Sequence, residues 1–234
     1  MSTDQPDSLI TNTPLALHPQ NFTTLGDDHQ NDPVVVVMRD ALGNAHASWT
    51  ATLTGHKKVM SDPLNTPLRN MQRSSDAAAK RQDEALRRLD AAVERGRREI
   101  EAIDEAVNRV PDPPPSYVVR MVSETMRGLS QKERGEAIAE ALRDGDTEML
   151  GAVLFCGPAK CYGLTKSERD LFRRQYQQTA YPDALKRRAA LERSVELLKR
   201  GGTSLMESNA KLFDRAKLDE AAALSQAAAE ALGD

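Results

Sequence analysis

The clearest hydrophobic pattern in the chain is a stripe that recurs every three or four residues near its middle. It follows a heptad spacing, which is typical of a helix that packs through one face. Thr66 and Pro67 suit the N-cap and the first helical position, and no further proline occurs between Pro67 and Pro111. The pattern predicts a long, coiled-coil-like helix over residues 66–110. The stripe consists of Leu86, Leu89, Val93, Gly96, Ile100, Ile103, Val107 and Val110.

The upstream half of this predicted helix continues the same register with weaker residues. They are Leu68, Gln72, Ser75, Ala79 and Gln82. A one-sided stripe on so long a helix needs a packing partner, because the stripe contributes more stability than the charged faces do. We therefore expect association with a second copy or with another protein. The residues expected to mediate it are Leu86, Leu89, Val93, Ile100 and Ile103.

A β-branched run lies closer to the N-terminus. Residues 34–38 read Val-Val-Val-Val-Met, residues 40–44 offer turn chemistry, and residues 47–53 read as a return strand. The pattern predicts a β-hairpin over residues 34–56. Both strand faces are apolar, so Val35, Val37 and Trp49 are candidate interaction residues, because exposed apolar edges are usually paired or covered. The alternative is a hairpin covered within the chain, for example by residues 1–33.

The first 33 residues are polar, contain no Lys or Arg and show no helical period. They predict a disordered or extended tail that becomes ordered on a partner. At the other end of the predicted long helix, the proline-rich residues 111–115 predict a domain boundary. Residues 117–234 then predict a helical domain, in which Ser130–Glu133 and Thr165–Glu168 have the spacing of capping boxes. The expected fold class is mainly α: a long coiled-coil-like helix and a small helical bundle, with a short N-terminal β-hairpin.

Composition supports helices with narrow apolar seams rather than a thick enzyme core. The chain is 39% hydrophobic, 4% aromatic and 29% charged. Its formal net charge of -3 does not indicate a nucleic-acid or anionic-membrane partner. No apolar run approaches the length of a membrane span, and the N-terminus lacks the pattern of a secretory signal, so we expect synthesis in a reducing cytoplasm and no membrane.

Candidate chemistry is sparse. The four histidines, His18, His29, His46 and His56, lack the spacing of a helical metal site. Cys156 and Cys161 match neither the CxxC redox spacing nor a four-ligand zinc site; we interpret them as small apolar residues flanking a turn, with a reversible disulfide as the secondary reading. No phosphate-binding or nucleophile motif occurs. We expect no catalytic, cofactor-binding or metal-binding residues and no cofactor, and hence a protein that is not an enzyme.

The basic segment over residues 166–200 is the candidate for nucleic-acid contact. Arg173, Arg174, Arg187 and Arg188 are the residues expected to make it. The other reading is a core-facing stripe with a solvated basic face, and it is the favoured one because no known DNA-binding fold is matched.

Two short segments carry a resemblance to a known group of proteins. Leu150-Gly151-Ala152-Val153-Leu154, followed by Gly163-Leu164-Thr165-Lys166-Ser167-Glu168-Arg169, resembles a segment of small helical structural or assembly proteins of tailed bacteriophages and prophages. The resemblance implies a virion or head-assembly component that docks onto other virion proteins as a homo- or hetero-oligomer. It implies a location in the host cytoplasm during synthesis and then in the virion, and it brings no catalytic residues. The alternative is a nucleic-acid-binding accessory protein using residues 166–200.

Overall fold

The structure is a computed structural model that describes residues 13–26, 29–109, 113–213 and 215–232. In these residues the regular structure is helical throughout and no strand occurs, which confirms the mainly α class. The helices are α1 Pro33–Met60, α2 Pro67–Asn108, α3 Ser116–Gly128, α4 Gln131–Asp144, α5 Thr147–Leu150, α6 Lys166–Ala180, α7 Pro182–Leu212 and α8 Arg215–Leu232.

The chain divides into two compact units. Unit 1 comprises residues 1–100 and 189–234, and unit 2 comprises residues 101–188. The division falls inside α2 and α7, whereas the sequence pattern predicted a boundary at residues 111–115. The last helices of the predicted domain 117–234 therefore belong to the same unit as the N-terminal helices.

The predicted β-hairpin over residues 34–56 is wrong, because the segment forms helix α1. The helix begins with Asp32 as N-cap and Pro33 as the first helical residue. The Asp32 carboxylate accepts hydrogen bonds from the Val34 N–H at 2.8 Å and the Val35 N–H at 3.4 Å. The start signal Asp32-Pro33 is visible in the sequence, but the β-branched run that follows it favours a strand by propensity alone.

Burial explains why the valine run is helical. A β-branched residue costs at most about 0.7 kcal/mol in helix propensity, whereas burying its side chain contributes about 1.5–3 kcal/mol. Val35 and Trp49, predicted to bind a partner, lie in the core of their own chain, and Val37 is half-buried. The buried residues of α1 recur every three or four positions: Val34, Val35, Met38, Ala41, Leu42, Ala45, Trp49 and Thr52.

Part of the predicted N-terminal tail is packed. Two short 3₁₀ helices, Leu15–Leu17 and Pro19–Leu25, precede α1 and lie against it. They bury Leu17, Phe22 and Leu25. The prediction of an extended tail is therefore wrong for this part of residues 1–33, because apolar residues at turn spacing supply enough burial. Residues 1–12 and 27–28 lie outside the described residues.

The core of unit 1 forms where α1, α2 and α7 approach closely. A Cβ atom on Gly96 of α2 would collide with the Met38 Cε of α1 and would lie 3.1 Å from the Val195 Cγ2 of α7. Gly201 of α7 makes a similar close contact with Leu42 of α1, because a Cβ atom there would lie 2.5 Å from the Leu42 Cδ1. Glycine at these two contacts is what lets the three helices approach closely.

The long helix α2 confirms the predicted element, although its buried face drifts from the heptad register. Ser74, Ala85, Gly96 and Val107 are buried and lie eleven residues apart. An eleven-residue spacing corresponds to 3.67 residues per turn, close to that of a straight helix, whereas a heptad requires supercoiling. The upstream seam was therefore assigned to the wrong positions, and its Leu68 is 48% exposed.

Unit 2 is built around a short buried helix. Helix α5 widens into a π-helical turn at Gly151–Phe155, and Leu150 and Gly151 to Leu154 are all buried. Helices α3, α4 and α6 pack around this segment. Both capping boxes occur as predicted, with Ser130 and Glu133 opening α4 and Thr165 and Glu168 opening α6.

The helical start at Asp32 is directly testable. Replacing Asp32 with Ala removes the side-chain acceptor for two N–H groups, so we expect the free energy of unfolding to fall by about 1 kcal/mol. Urea denaturation followed by circular dichroism measures the change. Asp40→Ala, at an exposed position inside α1, is the matched control and should change stability by less than about 0.5 kcal/mol. Equal effects of the two substitutions would contradict the capping role.

Candidate partner-binding groove

Unit 1 has an open apolar groove between α2 and α7, here called the α2–α7 groove. Its larger part has a volume of about 320 Å³. The floor of the groove is apolar, and its Met206 side chain is 45% exposed. The floor consists of Leu86, Leu89 and Val93 from α2 and of Leu198, Gly202 and Met206 from α7.

The groove continues toward the C-terminal end of α7. A second cavity of about 260 Å³ lies next to the first along α7, and Met206 lines both. From Leu198 to Leu212, the last residue of α7, the groove follows fifteen residues, or about 22 Å, and Phe213 lines it just beyond. The second cavity is lined by Ser75, Ala79, Gln82, Met206, Asn209, Ala210 and Phe213.

Small residues give the groove its depth. A Cβ atom on Gly202 would lie 3.6 Å from the Leu86 Cδ2 and 3.8 Å from the Leu89 Cδ1, which are ordinary contact distances. Gly202 therefore leaves a space that a methyl group could fill without strain. Ala79 and Ala210, whose side chains are also small, line the second cavity. Such a floor lets a helix backbone approach closely.

The charges of the groove lie at one end. Asp90, Glu94 and Arg97 of α2 and Lys199 of α7 border the larger cavity, whereas the lining of the second cavity carries no charged residue. Arg97 pairs with Glu94 at 2.5 Å, and Lys199 pairs with Glu196 of the same helix at 2.8 Å. These pairs are half-exposed, so each contributes little to stability and a partner's charges can replace it at low cost.

Several polar side chains pair near the uncharged end. Asn209 is 8% exposed; its Nδ2 donates to the Gln82 Oε1, and its Oδ1 has no hydrogen-bond partner. Beside it, the His56 Nδ1 lies 3.0 Å from the Ser74 Oγ, and the His56 ring meets the Phe213 ring edge-on at 5.4 Å. Burial lowers the pKa of His56 below its ordinary value of 6.5. This cluster ties the ends of α1, α2 and α7 together.

The predicted seam residues have two different fates. Leu86, Leu89 and Val93 line the groove, whereas Ile100 and Ile103 do not. Leu89, Val93 and Ile103 are buried, and Leu86 and Ile100 are half-buried. The seam is thus largely covered by the chain's own helices, and what remains open is its border with α7.

The other half of the groove was missed at the sequence level. It consists of Leu198, Gly202 and Met206 on α7. Their spacing of four residues was available as a signal, because it places all three on one helical face. Of the three, only Leu198 lies in the segment 166–200 that was interpreted through its basic residues.

The predicted nucleic-acid residues serve mainly within unit 2. The Arg173 Nη2 donates to the Leu154 carbonyl at 3.0 Å, and its guanidinium lies 4.7 Å from the centre of the Phe155 ring. Arg188 makes two hydrogen bonds to the Asp104 carboxylate, at 2.6 and 3.1 Å. Arg173 and Arg188 therefore have structural partners, as the packing interpretation expects.

Arg174 is the most accessible of the four candidate arginines. Arg174 is exposed, and Arg187 is half-buried. Arg173, Arg174 and Arg188 border one pocket of about 420 Å³, but Asp104 and Asp170 border it as well. The carboxylates offset most of the positive charge there.

The two cysteines flank a firmly held loop. Both thiols are free and half-buried. Arg169 donates to the carbonyls of Leu154 and Cys156, and Ser123 donates to the Cys161 carbonyl at 2.7 Å. Among the described residues, no group of three His, Cys, Asp or Glu side chains is arranged to hold a metal ion.

Comparisons with known proteins returned nothing similar. No family model matches the chain, and neither a curated protein nor a solved structure shows a significant match. In the described part of the chain, no helix has the length and apolar character needed to cross a membrane.

Adjacent glycines give a matched test of the packing beside the groove. Gly202→Ala should raise the free energy of unfolding by about 0.5–1 kcal/mol, because it removes the helical glycine penalty and its methyl group meets only ordinary contacts. Gly201→Ala gains the same intrinsic term but meets the fully buried Leu42, and overpacking costs about 1–3 kcal/mol. Thermal and urea unfolding should move in opposite directions for the two variants. Equal stabilisation by both would contradict the close contact of α1 and α7.

The half-buried His56 predicts a pH dependence of stability. Because the folded state lowers the pKa of His56, the unfolded chain binds a proton more readily as the pH falls through about 6.5. The free energy of unfolding should therefore be highest above pH 6.5 and decrease toward the lowered pKa. His56→Asn should flatten this slope between about pH 7 and 5, measured by urea denaturation at each pH. The other histidines are present in both proteins, so an unchanged slope would contradict burial of His56.

Proposed function

We propose that this protein is a non-catalytic structural or assembly component, of a tailed-phage virion or of its head assembly, that docks onto other protein chains. The observation that carries the proposal is the α2–α7 groove, in which Met206 is 45% exposed and Leu86 is half-buried beside an apolar floor. An apolar channel bordered by small residues and a charged rim fits an amphipathic helix laid along it.

The groove suits binding rather than chemistry. Its floor is aliphatic and its charged groups are half-exposed ion pairs at one end. Exposed apolar floors of this kind are stabilised when a partner covers them. Binding of a helix there would bury Met206 and Leu86 without requiring the three-helix core to move.

The phage context rests on the resemblance of residues 150–154 and 163–169. In the structure the first segment is the buried centre of unit 2 and the second begins α6. The Arg169 Nε, at the end of the second segment, donates to the Leu154 carbonyl at 3.0 Å. The two segments thus form one packed structural motif, which supports treating them as a single resemblance.

The proposal can be tested in the native producer. Tagged protein should co-purify with capsid, connector or tail proteins, identified by mass spectrometry. Met206→Glu places a charge on the exposed floor and should reduce their recovery at least tenfold, whereas Leu64→Glu, at a position 90% exposed outside the groove, should not. Both variants must keep the wild-type circular dichroism spectrum. Recovery of the same proteins with both variants would contradict docking through the groove.

The same preparations address the nucleic-acid alternative. We expect no binding of fluorescent duplex DNA at about 0.15 M salt, because Arg173 and Arg188 are engaged within unit 2 and the chain carries a net charge of -3. Fluorescence anisotropy measures this directly. Binding that weakens with salt and is lost in Arg174→Ala would favour the accessory-protein alternative instead.

A further inference from the structure

We infer that the three prolines at residues 113–115, together with Tyr117, form a docking site for a protein domain whose binding groove is lined by aromatic side chains. The site lies in unit 2 and does not involve the α2–α7 groove. The inference therefore goes beyond the proposed function and does not depend on it.

The three prolines form one turn of a polyproline II helix. Each proline ring holds its own φ at about −65°, and a following proline drives the ψ of the residue before it to extended values. Pro113 and Pro114 are each followed by a proline, so both are extended. Pro115 has φ −54° and ψ 148°, which are polyproline II values as well. Since three residues complete a turn of this helix, the segment is already ordered in the conformation of a polyproline II ligand.

One edge of this turn packs on the protein and the other two face solvent. Pro114 is buried, whereas Pro113, Pro115 and Ser116 are exposed. Successive side chains of a polyproline II helix lie on three different edges, because the helix has three residues per turn. A groove can contact only two of these edges at once. The buried Pro114 therefore fixes the segment in place and leaves the two edges that a groove would contact.

The backbone of the turn keeps an acceptor for a partner. The Pro115 carbonyl accepts a hydrogen bond from the Val119 N–H at 3.1 Å, which belongs to the start of α3. Within the described part of the chain, the Pro113 carbonyl accepts no backbone hydrogen bond. Polyproline II makes no internal hydrogen bonds, so such a carbonyl can accept from a donor in a partner's groove, such as an indole N–H.

An exposed tyrosine follows the prolines on the first turn of α3. Tyr117 is 72% exposed, and Met121, four residues later on the same face of the helix, is 57% exposed. Tyrosine offers a large, rigid apolar ring with a polar tip and is enriched at the energetically dominant positions of protein interfaces. Pro113, Pro115 and Tyr117 thus present three rigid rings to solvent within five residues.

The chemistry of the segment selects the kind of partner. Proline-rich segments in polyproline II conformation are recognised by aromatic-lined grooves, as in WW and SH3 domains. Because the three prolines are already ordered, little conformational entropy is lost when they bind. Aromatic residues make up only 4% of this chain, and its single tryptophan, Trp49, is 3% exposed. A different protein is therefore a better source of the groove than a second copy.

Titration of the full chain into labelled domains tests the inference. The probes are a recombinant WW domain and a recombinant SH3 domain, each with a fluorescent label, and fluorescence anisotropy measures binding. We expect at least one of them to bind with a dissociation constant below about 300 µM. Tyr117→Ala and Pro115→Ala should each weaken that binding at least about fivefold, whereas Leu171→Ala, at a 47% exposed position of α6, should change it less than about twofold. Circular dichroism of each variant checks that it is folded.

Three results would overturn the inference. The first is the absence of binding to both domains up to about 300 µM. The second is binding that neither Tyr117→Ala nor Pro115→Ala weakens, because the contact then lies elsewhere on the chain. The third comes from sedimentation equilibrium of the chain alone: if it self-associates and Tyr117→Ala abolishes that association, the partner is a second copy. None of these results involves the α2–α7 groove, so the proposed function is tested separately.

Discussion

The close approach of three helices at two glycines is the constraint on which unit 1 depends. Gly96 on α2 and Gly201 on α7 leave room for Met38 and Leu42 of α1, both of which are fully buried. Because interiors are packed as tightly as organic crystals, a methyl group at either position must displace a neighbour. Gly202 is the next residue of α7 and lines the α2–α7 groove. The distance between α2 and α7 that Gly96 and Gly201 allow therefore also sets the width of the groove. Gly201 thus packs in the core, and the adjacent Gly202 lines the groove.

Unit 2 depends on a different interaction. Its centre is a short helix whose last carbonyls face buried surroundings, where unpaired polar groups are costly. Arg169 and Arg173 extend from α6 and donate to the Leu154 carbonyl, and Arg169 also reaches those of Cys156 and Gly157. Burial lowers the pKa of Arg169, but a guanidinium remains charged at any ordinary pH. The basic character of α6 is therefore explained largely by satisfying this helix end.

Local signals in the sequence predicted the elements better than their packing. The Thr66–Pro67 start, the length of α2 and both capping boxes follow from chemistry within four residues, and all occur. The valine run after Asp32 was misjudged because strand propensity was weighed without the burial that outweighs it. The groove could be foreseen only by half, through Leu86, Leu89 and Val93. Its other half comes from α7, more than a hundred residues later, and no pattern within one helix shows which distant helix will face it.

Because unit 1 consists of two separate parts of the chain, it can be completed only after unit 2 has been synthesised. Unit 2 is continuous over residues 101–188, but unit 1 needs residues 189–234 to be complete. At about 5–20 residues per second, a ribosome takes about 4–18 s to synthesise the intervening unit. During that time α1 and α2 have left the ribosome while α7, which covers Met38 and Leu42 together with α2, has not yet been translated. The apolar faces of α1 and α2 that pack against α7 therefore remain without that cover until unit 2 has been synthesised.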